Sequence, residues 1–311
     1  MLDPRDLFSF NADAENVPSG LHMIAALSGF TDAGSTLDQV AEQIFKQFDH
    51  EIVVEFENDE LLDYRSRRPL MFFEKDHISE YAPPVLAVYQ VWDEAKQPFL
   101  FLHGYEPDLR WEAFSDAIQL LIQELDVQDF TWVHSIPFPI PHTREIGITV
   151  SGNRQDIIDR VSEWKPQTQV PGNVLHLIEF KLQQLEFPTL GYVLLVPHYL
   201  ADSEYPAAGV AAIENLMSST GLVFATDELR EANRNFTAKL NAQVADNEEL
   251  QRMVSNLEQG YAQTNVGPSK SPLHRREKLV PDADSLAAEL EDFLAARQRN
   301  AEHGDIADSG D

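Results

Sequence analysis

Short apolar runs alternate with amphipathic helical segments over residues 1–222, and this alternation constrains the fold more than any other feature. The runs at 23–28, 85–92, 130–137 and 189–197 are rich in Val, Ile, Leu and aromatic residues, which is typical of buried strands. Apolar residues at helical spacing occur between them, most clearly over 109–125. The alternation predicts an α/β domain, a mainly parallel sheet within three α/β/α layers.

The composition changes after this domain and predicts two further segments. Residues 223–264 are polar, rich in Gln and Asn, and carry a thin apolar seam at three-and-four spacing, which predicts a small C-terminal helical hairpin. Asp246 and Glu249 have the separation of a capping box between its two helices. Residues 265–311 are interpreted as a mostly disordered acidic tail with one short helix, Ser285 to Arg297.

The charge of the chain bears on its partners. Among 311 residues, 52 Asp and Glu oppose 23 Lys and Arg, which gives a formal net charge of -29. A nucleic-acid backbone or an anionic membrane surface would be repelled over most of such a surface. Neither nucleic acid nor a membrane is therefore predicted as a partner.

The absence of cysteine excludes several kinds of site. Without a thiol the chain has no disulfide, no thiolate catalysis and no Cys-ligated metal centre. The first residues lack the features of a signal peptide, and no apolar run approaches the roughly 18 residues that cross a bilayer. A cytoplasmic location is the expectation.

The loop after the first apolar run, Ser28 to Ser35, leads from a strand into a helix. Gly29 and Gly34 flank Asp32, and Ser35 is expected to be the N-cap of the helix. One interpretation is an anion or nucleotide loop. A tight turn with a self-capping acid is favoured, because Asp32 itself occupies the electropositive helix end.

Polar residues also follow two other predicted strands. In open α/β sheets, ligands bind beyond the carboxyl ends of parallel strands, where the loops of neighbouring strands meet. A hydrolase-like or phosphorylase-like pocket at this rim is one hypothesis, although Ser135 lacks the glycines of a nucleophile elbow. A metal site is not predicted, because the histidines fall on separate loops, and no cofactor is expected. The candidate binding residues of these loops are His142, Arg144, His198, Tyr199 and Glu204.

The densest mixed-charge stretch of the chain runs from Asp59 to Pro69. It contains Arg65, Arg67 and Arg68 among three acids. The planar guanidinium groups suit a clamp on a carboxylate or phosphate, but the adjacent acids favour an ion-pair network within the chain or at a subunit interface.

Several linked motifs together resemble one known family, the bacterial branch of the proteasome assembly chaperone 2-like family. The resemblance extends in order over about residues 20 to 262. It implies a phosphorylase/hydrolase-like α/β/α domain with a small helical appendage, and a protein-binding role of the assembly-chaperone type. The motifs that carry it are Gly29-Phe30-x-Asp32-Ala33-Gly34, Asp59 to Pro69, Glu106-Pro107-Asp108-Leu109-Arg110-Trp111, Ile136-Pro137, Pro141-His142-Thr143-Arg144, Pro197-His198-Tyr199-Leu200 and Ser203-Glu204-Tyr205-Pro206-Ala207-Ala208.

The chain is therefore interpreted as a protein-binding scaffold rather than an enzyme, with no catalytic residue assigned and its protein partner unidentified. The alternative is a hydrolase- or phosphorylase-like enzyme or a small-ligand binder. Self-association is expected, with segments 59–69 and 226–262 at or near the contact. The resemblance implies a ring-like homo-oligomer, with a trimer as the expected form.

Overall fold

The computed structural model describes residues 3–162, 165 and 167–264. Ten strands occur in this part of the chain, and eight of them form one sheet in the order β1-β3-β6-β7-β2-β8-β10-β9. The strands are β1 Phe8–Phe10, β2 His22–Ser28, β3 His50–Phe56, β4 Leu70–Glu74, β5 His77–Ala82, β6 Ala87–Trp92, β7 Pro98–Tyr105, β8 Asp129–Phe138, β9 Gly147–Gly152 and β10 Thr189–Pro197.

The sheet has a parallel centre and antiparallel edges. Strands β7, β2, β8 and β10 run in one direction, whereas β6 and β9 pair antiparallel on either side of them. Strand β3 is antiparallel to β6, and β1 to β3, so five of the eight strands share one direction. This agrees with the predicted mainly parallel sheet, with β1 an unpredicted edge strand.

The helices cover both faces of this sheet. On one face, α3 and α5 pack over alternate residues of β2, including Met23 and Ala25. On the other face, α1, α4 and α6 pack over the intervening Ile24 and Ala26. The predicted three-layer α/β/α fold is confirmed. The helices are α1 Thr36–Gln47, α2 Asn58–Leu61, α3 Trp111–Glu124, α4 Gln155–Val161, α5 Val174–Gln184, α6 Pro206–Thr220, α7 Asp227–Ala245 and α8 Glu248–Thr264.

Proline, glycine and asparagine residues fix several helix ends. Pro206 is the first residue of α6, where its missing N–H costs no hydrogen bond. Gly221 ends α6 with a left-handed φ of 74°, and its N–H reaches the carbonyl of Met217. The side chain of Asn173 caps α5 and forms a capping box with His176.

Helices α7 and α8 form the C-terminal hairpin. Helix α7 packs along α6, and Leu229 joins the core of the main domain. Leu240 packs with Tyr205 and Ala208 in a separate cluster. The predicted capping box between Asp246 and Glu249 is wrong, because the side chain of Asn247 accepts the N–H groups of Glu249 and Leu250 instead.

Strands β4 and β5 form a two-stranded hairpin of their own, which the sequence analysis did not predict. They occupy part of the segment between the arginine-rich loop and β6, and all of their residues are exposed. The predicted acidic tail and its short helix, 265–311, lie outside the described residues. None of the helices in the described part of the chain is long and apolar enough to cross a membrane.

Candidate functional site

Four parallel strands end at one edge of the sheet, which we call the rim. Residues Ser28 and Tyr105 are register partners at the ends of β2 and β7, and Pro197 and Phe138 at the ends of β10 and β8. The loops that follow these strands therefore meet, as the sequence analysis expected.

Asp32 caps helix α1 at the rim. Its Oδ1 accepts the N–H of Leu37 at 2.8 Å, and its Oδ2 accepts the N–H of Asp38 at 3.3 Å. The hydroxyl of Ser135 in β8 also donates to Oδ1, at 3.0 Å. Burial raises the pKa of the Asp32 carboxyl, and these donors oppose that rise. The geometry is that of a self-capping acid in a tight turn.

Ser35 does not cap α1, although it occupies the N-cap position. Its φ is 50°, and its side chain makes no capping hydrogen bond. Gly34 precedes it with φ 74°, and both its N–H and its carbonyl bond the segment after β10, at Ala201 and Tyr205. Asp32 thus takes the capping role predicted for Ser35, whose left-handed φ is not the extended conformation of an N-cap residue.

Glu106 occupies the N-terminus of α5 in a similar way. Its Oε1 accepts the N–H of Val174 at 2.7 Å, and the N–H of Phe30 bonds the same carboxylate. A Cβ at Gly29 would lie 2.7 Å from the Cβ of Glu106, so the glycine leaves the room that this side chain fills. Burial raises the pKa of Glu106, while the N–H of Val174 and the charge of Arg67 lower it.

Of the three arginines predicted as candidates, Arg67 turns toward the rim. Its guanidinium donates to the carbonyl of Ser28 at 3.3 Å, pairs with Asp108 at 3.3 Å and lies over the ring of Tyr105. Arg65 and Arg68 are exposed to solvent. Ion pairs within the chain therefore involve Arg67, at 3.3 Å from Asp108, and the exposed Arg65, at 4.0 Å from Asp63.

His134 lies in β8 beside Thr31 and Phe30. Its Nε2 is 3.5 Å from the Thr31 hydroxyl, and its ring stacks on Phe30 at 6.0 Å between centroids. Burial, with a smaller contribution from His176, lowers the pKa of His134 to about 4, so the ring is neutral at pH 7. Thr31 has φ 27°, a strained value for a β-branched residue.

His142 joins the main domain to α7. Its backbone N–H donates to the Tyr199 hydroxyl at 2.7 Å, and its Nδ1 lies 2.7 Å from the same oxygen. Its Nε2 lies 3.1 Å from Oδ1 of Asn241. Since that oxygen only accepts, His142 carries its proton on Nε2, and Tyr199 donates to Nδ1. We call His142, Tyr199 and Asn241 the latch.

The neighbours of His142 contact α8. Thr143 donates to Glu258 at 2.6 Å, and the guanidinium of Arg144 lies 6.0 Å from the ring centre of Tyr261. His198 packs edge-on against Tyr199 at 5.4 Å, and Glu204 is exposed. Of the residues predicted to share one pocket, Gly29 and Asp32 follow β2, His142 and Arg144 contact the helical hairpin, His198 packs on Tyr199, and Glu204 is exposed.

Glu106, His134 and Thr31 were not among the predicted candidates. Glu106 follows β7 as Asp32 follows β2, so the position of an acid after a buried strand was the signal available. Within the described residues, no group of three or more His, Asp or Glu side chains is arranged to hold a metal ion.

Two of the helix N-termini at the rim are thus closed to an anion. The N-termini of α1 and α5, which attract anions in many α/β proteins, are each occupied by a carboxylate of the chain itself. Three apolar side chains lie exposed at the same edge: Phe30 at 37%, Val85 at 41% and Leu109 at 46%. We call them the rim apolar group, and they suit contact with another macromolecule.

Comparison with known proteins gives a family model and several solved structures. Residues 26–244 match the model described as the PAC2 family. A Mycobacterium tuberculosis protein of unknown function, Rv2714, is 35% identical, with 83% of this chain and 89% of that chain covered and a TM-score of 0.75. A Corynebacterium glutamicum protein of unknown function is 31% identical, covering 83% and 97%, with a TM-score of 0.78.

A more distant structure shares the fold. The Mycobacterium tuberculosis proteasome-assembly chaperone homologue Rv2125 is 18% identical, with 75% of this chain and 100% of that chain covered and a TM-score of 0.69. No curated protein matches the chain.

Proposed function

Because the chain belongs to the PAC2 family, as its motifs indicated, we propose that it is a protein-binding scaffold of the proteasome-assembly-chaperone type. The observation that carries the proposal is the occupation of two helix ends at the rim by Asp32 and Glu106. A site for a small anion would leave these N–H groups free. The fold shared with a proteasome-assembly chaperone homologue supports the same role.

The rim apolar group is the face that we assign to the protein partner. Phe30, Val85 and Leu109 are exposed and adjoin three neighbouring strands, β2, β6 and β7, at this edge of the sheet. In a chain with a net charge of -29, such a surface favours contact with a partner over solvent.

Affinity capture from a lysate of the source organism tests this assignment. The tagged full-length chain is compared with the double variant Phe30→Asp, Leu109→Asp, and with Val170→Asp as a control at an apolar residue that is 61% exposed. We expect a protein partner whose recovery falls at least about tenfold with the rim variant and is unchanged with the control. Retention of nothing but the chain itself would contradict the proposed function.

We also propose that the scaffold is a cytoplasmic homo-oligomer, with three subunits as the number to test. Closed cyclic symmetry is the usual form of a homo-oligomer, and the lack of cysteine suits a reducing compartment. Light scattering coupled to size-exclusion chromatography measures the mass. A mass of one chain at micromolar concentration would contradict the oligomer.

An alternative function, a hydrolase- or phosphorylase-like enzyme or a small-ligand binder, is favoured by one observation. The strained Thr31 places its hydroxyl 3.5 Å from Nε2 of the neutral His134. A base beside a hydroxyl is one part of a nucleophilic site. Turnover of activated ester or phosphate substrates that disappears in Thr31→Val would support this alternative; we expect no turnover above background.

A further inference from the structure

Helix α7 covers a small apolar surface at the rim, which we call the shelf. Leu240 of α7 is buried in this surface, and Phe236 and Val244 of the same helix pack against it. In open α/β sheets the carboxyl ends of parallel strands are the usual binding edge. A helix of the chain itself thus covers part of that edge. The shelf consists of five buried residues from the loop after β2, the end of β10, the segment that follows β10 and the start of α6: Ala33, Val196, Leu200, Tyr205 and Ala208.

The apolar contact of α7 with the main domain is sparse for a helix of 19 residues. Leu229 and Leu240 are its two buried residues, and Leu229 belongs to a different apolar cluster from Leu240. Phe236 is half-buried, and its ring lies 5.6 Å from that of Tyr205. A globular helix normally presents three to four apolar residues to the core in every two turns. Over its roughly five turns, α7 therefore buries much less apolar surface than its length allows.

Polar contacts supply the rest of the attachment. Arg230 pairs with Glu214 of α6 at 2.6 Å, but both side chains are about half exposed, and such pairs contribute little. Asn241 accepts a hydrogen bond from Nε2 of His142 at 3.1 Å, within the latch. Because His142 is buried, its Nε2–H needs an acceptor whenever the shelf is covered. A helix that covers the shelf therefore needs one hydrogen-bond acceptor next to its apolar residues.

The sequence of α7 shows which kind of helix fits the shelf. Phe236, Leu240 and Val244 are spaced by four residues and share one face of the helix, and Asn241 follows directly after Leu240. The helix carries three acidic and three basic side chains, so it is electrically balanced in a chain of net charge -29. An amphipathic helix that lies in an apolar groove is a recurring mode of protein recognition. A helix of another protein with this pattern would make the same contacts.

We propose that α7 is a removable cover and that the shelf docks an amphipathic helix of a partner protein in its place. The partner helix has apolar residues at positions i, i+4 and i+8 and a hydrogen-bond acceptor at i+5. A helix that buries more apolar surface than α7 displaces it, because elements with few buried contacts open at a low cost in free energy. The proposal rests on the protein-binding role of the proposed function and adds a surface other than the rim apolar group.

Fluorescence anisotropy with a synthetic α7 peptide tests the proposal. The probe is residues 227–245 with blocked ends, added to the full-length protein. In the parent protein the chain's own α7 competes with the probe, which lowers the apparent affinity by the fraction of molecules with an open shelf. Asn241→Ala in the chain keeps the shelf but removes the acceptor for His142 from the covering helix. We therefore expect the probe to bind this variant at least about fivefold more tightly than the parent.

Two controls separate the shelf contact from a general effect on the helix. Asn235→Ala in the chain replaces an exposed asparagine of the same helix and should leave the affinity of the probe unchanged. A probe that carries Leu240→Asp should bind the Asn241→Ala protein at least about tenfold more weakly than the unaltered probe, because a buried apolar contact is lost. Equal binding of the two probes, or no saturable binding of the unaltered probe, would overturn the proposal.

Hydrogen exchange locates the bound probe. A probe made with heavy isotopes gives fragments that differ in mass from those of the chain's own α7. When this probe is bound, we expect exchange to rise at least about tenfold in the chain's α7 and to stay unchanged in α3, on the opposite face of the sheet. Binding of the probe with unchanged exchange in α7 would place it elsewhere and would overturn the proposal.

The outcomes are separable from those of the proposed function. The probe is a segment of this chain, so its failure to bind would overturn the covered shelf and leave capture of a partner by the rim apolar group as it stands. Capture of nothing from the lysate, with the probe binding as expected, would contradict the proposed function while supporting the shelf as a surface that binds a helix.

Discussion

Two carboxylates at the rim accept helix N–H groups, as bound anions do at the N-termini of helices in other proteins. Asp32 satisfies N–H groups at the start of α1, and Glu106 satisfies the first N–H of α5. Each is also bonded to a neighbouring loop or strand, through Ser135 or Phe30. The two acids therefore fix the loops of the rim to the helices behind them.

Removal of the Asp32 carboxylate should destabilise the fold. We expect Asp32→Ala to lower the free energy of unfolding by about 0.5 to 2 kcal/mol, because the N–H groups of Leu37 and Asp38 lose their acceptor. Urea unfolding measures the change. Asp38 is an exposed acid in the same first turn, and Asp38→Ala is the control. It should lower the free energy of unfolding by less than about 1 kcal/mol. An Asp32 variant as stable as the parent would show that the cap contributes nothing.

Gly34 and Gly20 allow backbone strain to be separated from crowding. Both have φ 74°, but a Cβ at Gly34 would lie 3.2 Å from Tyr205 and 3.3 Å from Val196, whereas Gly20 has no neighbour within 4 Å. We expect Gly20→Ala to cost about 1 to 2 kcal/mol and Gly34→Ala about 1 to 3 kcal/mol more. Thermal and urea unfolding compare the two. Equal losses of stability would mean that the turn around position 34 rearranges to make room for the added methyl group.

His134 should make stability depend on pH. Because burial lowers its pKa from 6.5 to about 4, its contribution is present above pH 6.5 and is lost as the pH falls toward 4. Between pH 7 and pH 5 the expected loss is about 2 kcal/mol. His134→Gln should lose correspondingly less over that range. The free energy of unfolding is measured down to pH 5 only, since the isoelectric point is about 4.5. Parallel curves of stability against pH for the two proteins would refute the assignment.

The roles of some rim residues could be predicted from the sequence and those of others could not, because their contact partners lie at different distances along the chain. The role of Asp32 follows from residues within six positions of it, so the loop pattern was sufficient. The partner of His142 on α7, Asn241, is 99 residues away. A tertiary contact of that kind leaves no local sequence pattern. His142 was therefore predicted to line a pocket, and its contact with α7 was not predicted.

At the scale of elements, the central strands and long helices were predictable because burial on two faces leaves a strong pattern. Strand β10 is a nearly continuous apolar run, and α3 carries a clear apolar stripe. The hairpin of β4 and β5 is apolar as well, but its strands are exposed and do not alternate cleanly between apolar and polar residues. Because no face of this hairpin is buried, its residues carry no pattern of a core strand.

The latch makes the attachment of the helical hairpin testable. Tyr199→Phe keeps the ring but leaves the N–H and Nδ1 of buried His142 without their partner, so we expect a loss of about 1 to 3 kcal/mol. Hydrogen exchange should rise in α7 first. Thr143→Ala removes the exposed contact to Glu258 and should cost less than about 1 kcal/mol. Unchanged exchange in α7 of the tyrosine variant would show that the latch does not hold the hairpin.

For the whole molecule, the net charge of -29 should oppose self-association. Salt screens repulsion between surfaces separated by more than about 8 Å at physiological ionic strength. We therefore expect self-association to strengthen as NaCl is raised from about 0.05 to about 0.3 M. Sedimentation at each concentration measures it, with an uncharged solute of equal osmolality as the control. Weakening by salt would indicate that attractive ion pairs across the contact outweigh the repulsion.

The exposed hairpin of β4 and β5 in a strongly acidic chain also bears on the order of events during folding. A hairpin of local contacts forms within microseconds of synthesis, whereas encounters between like-charged chains are slowed by their mutual repulsion. Newly made chains therefore have time to complete their slower, long-range strand pairing before the exposed hairpins of two chains meet. The net negative charge, which slows encounters between chains, thus also lowers the chance that the exposed hairpin aggregates before folding is complete.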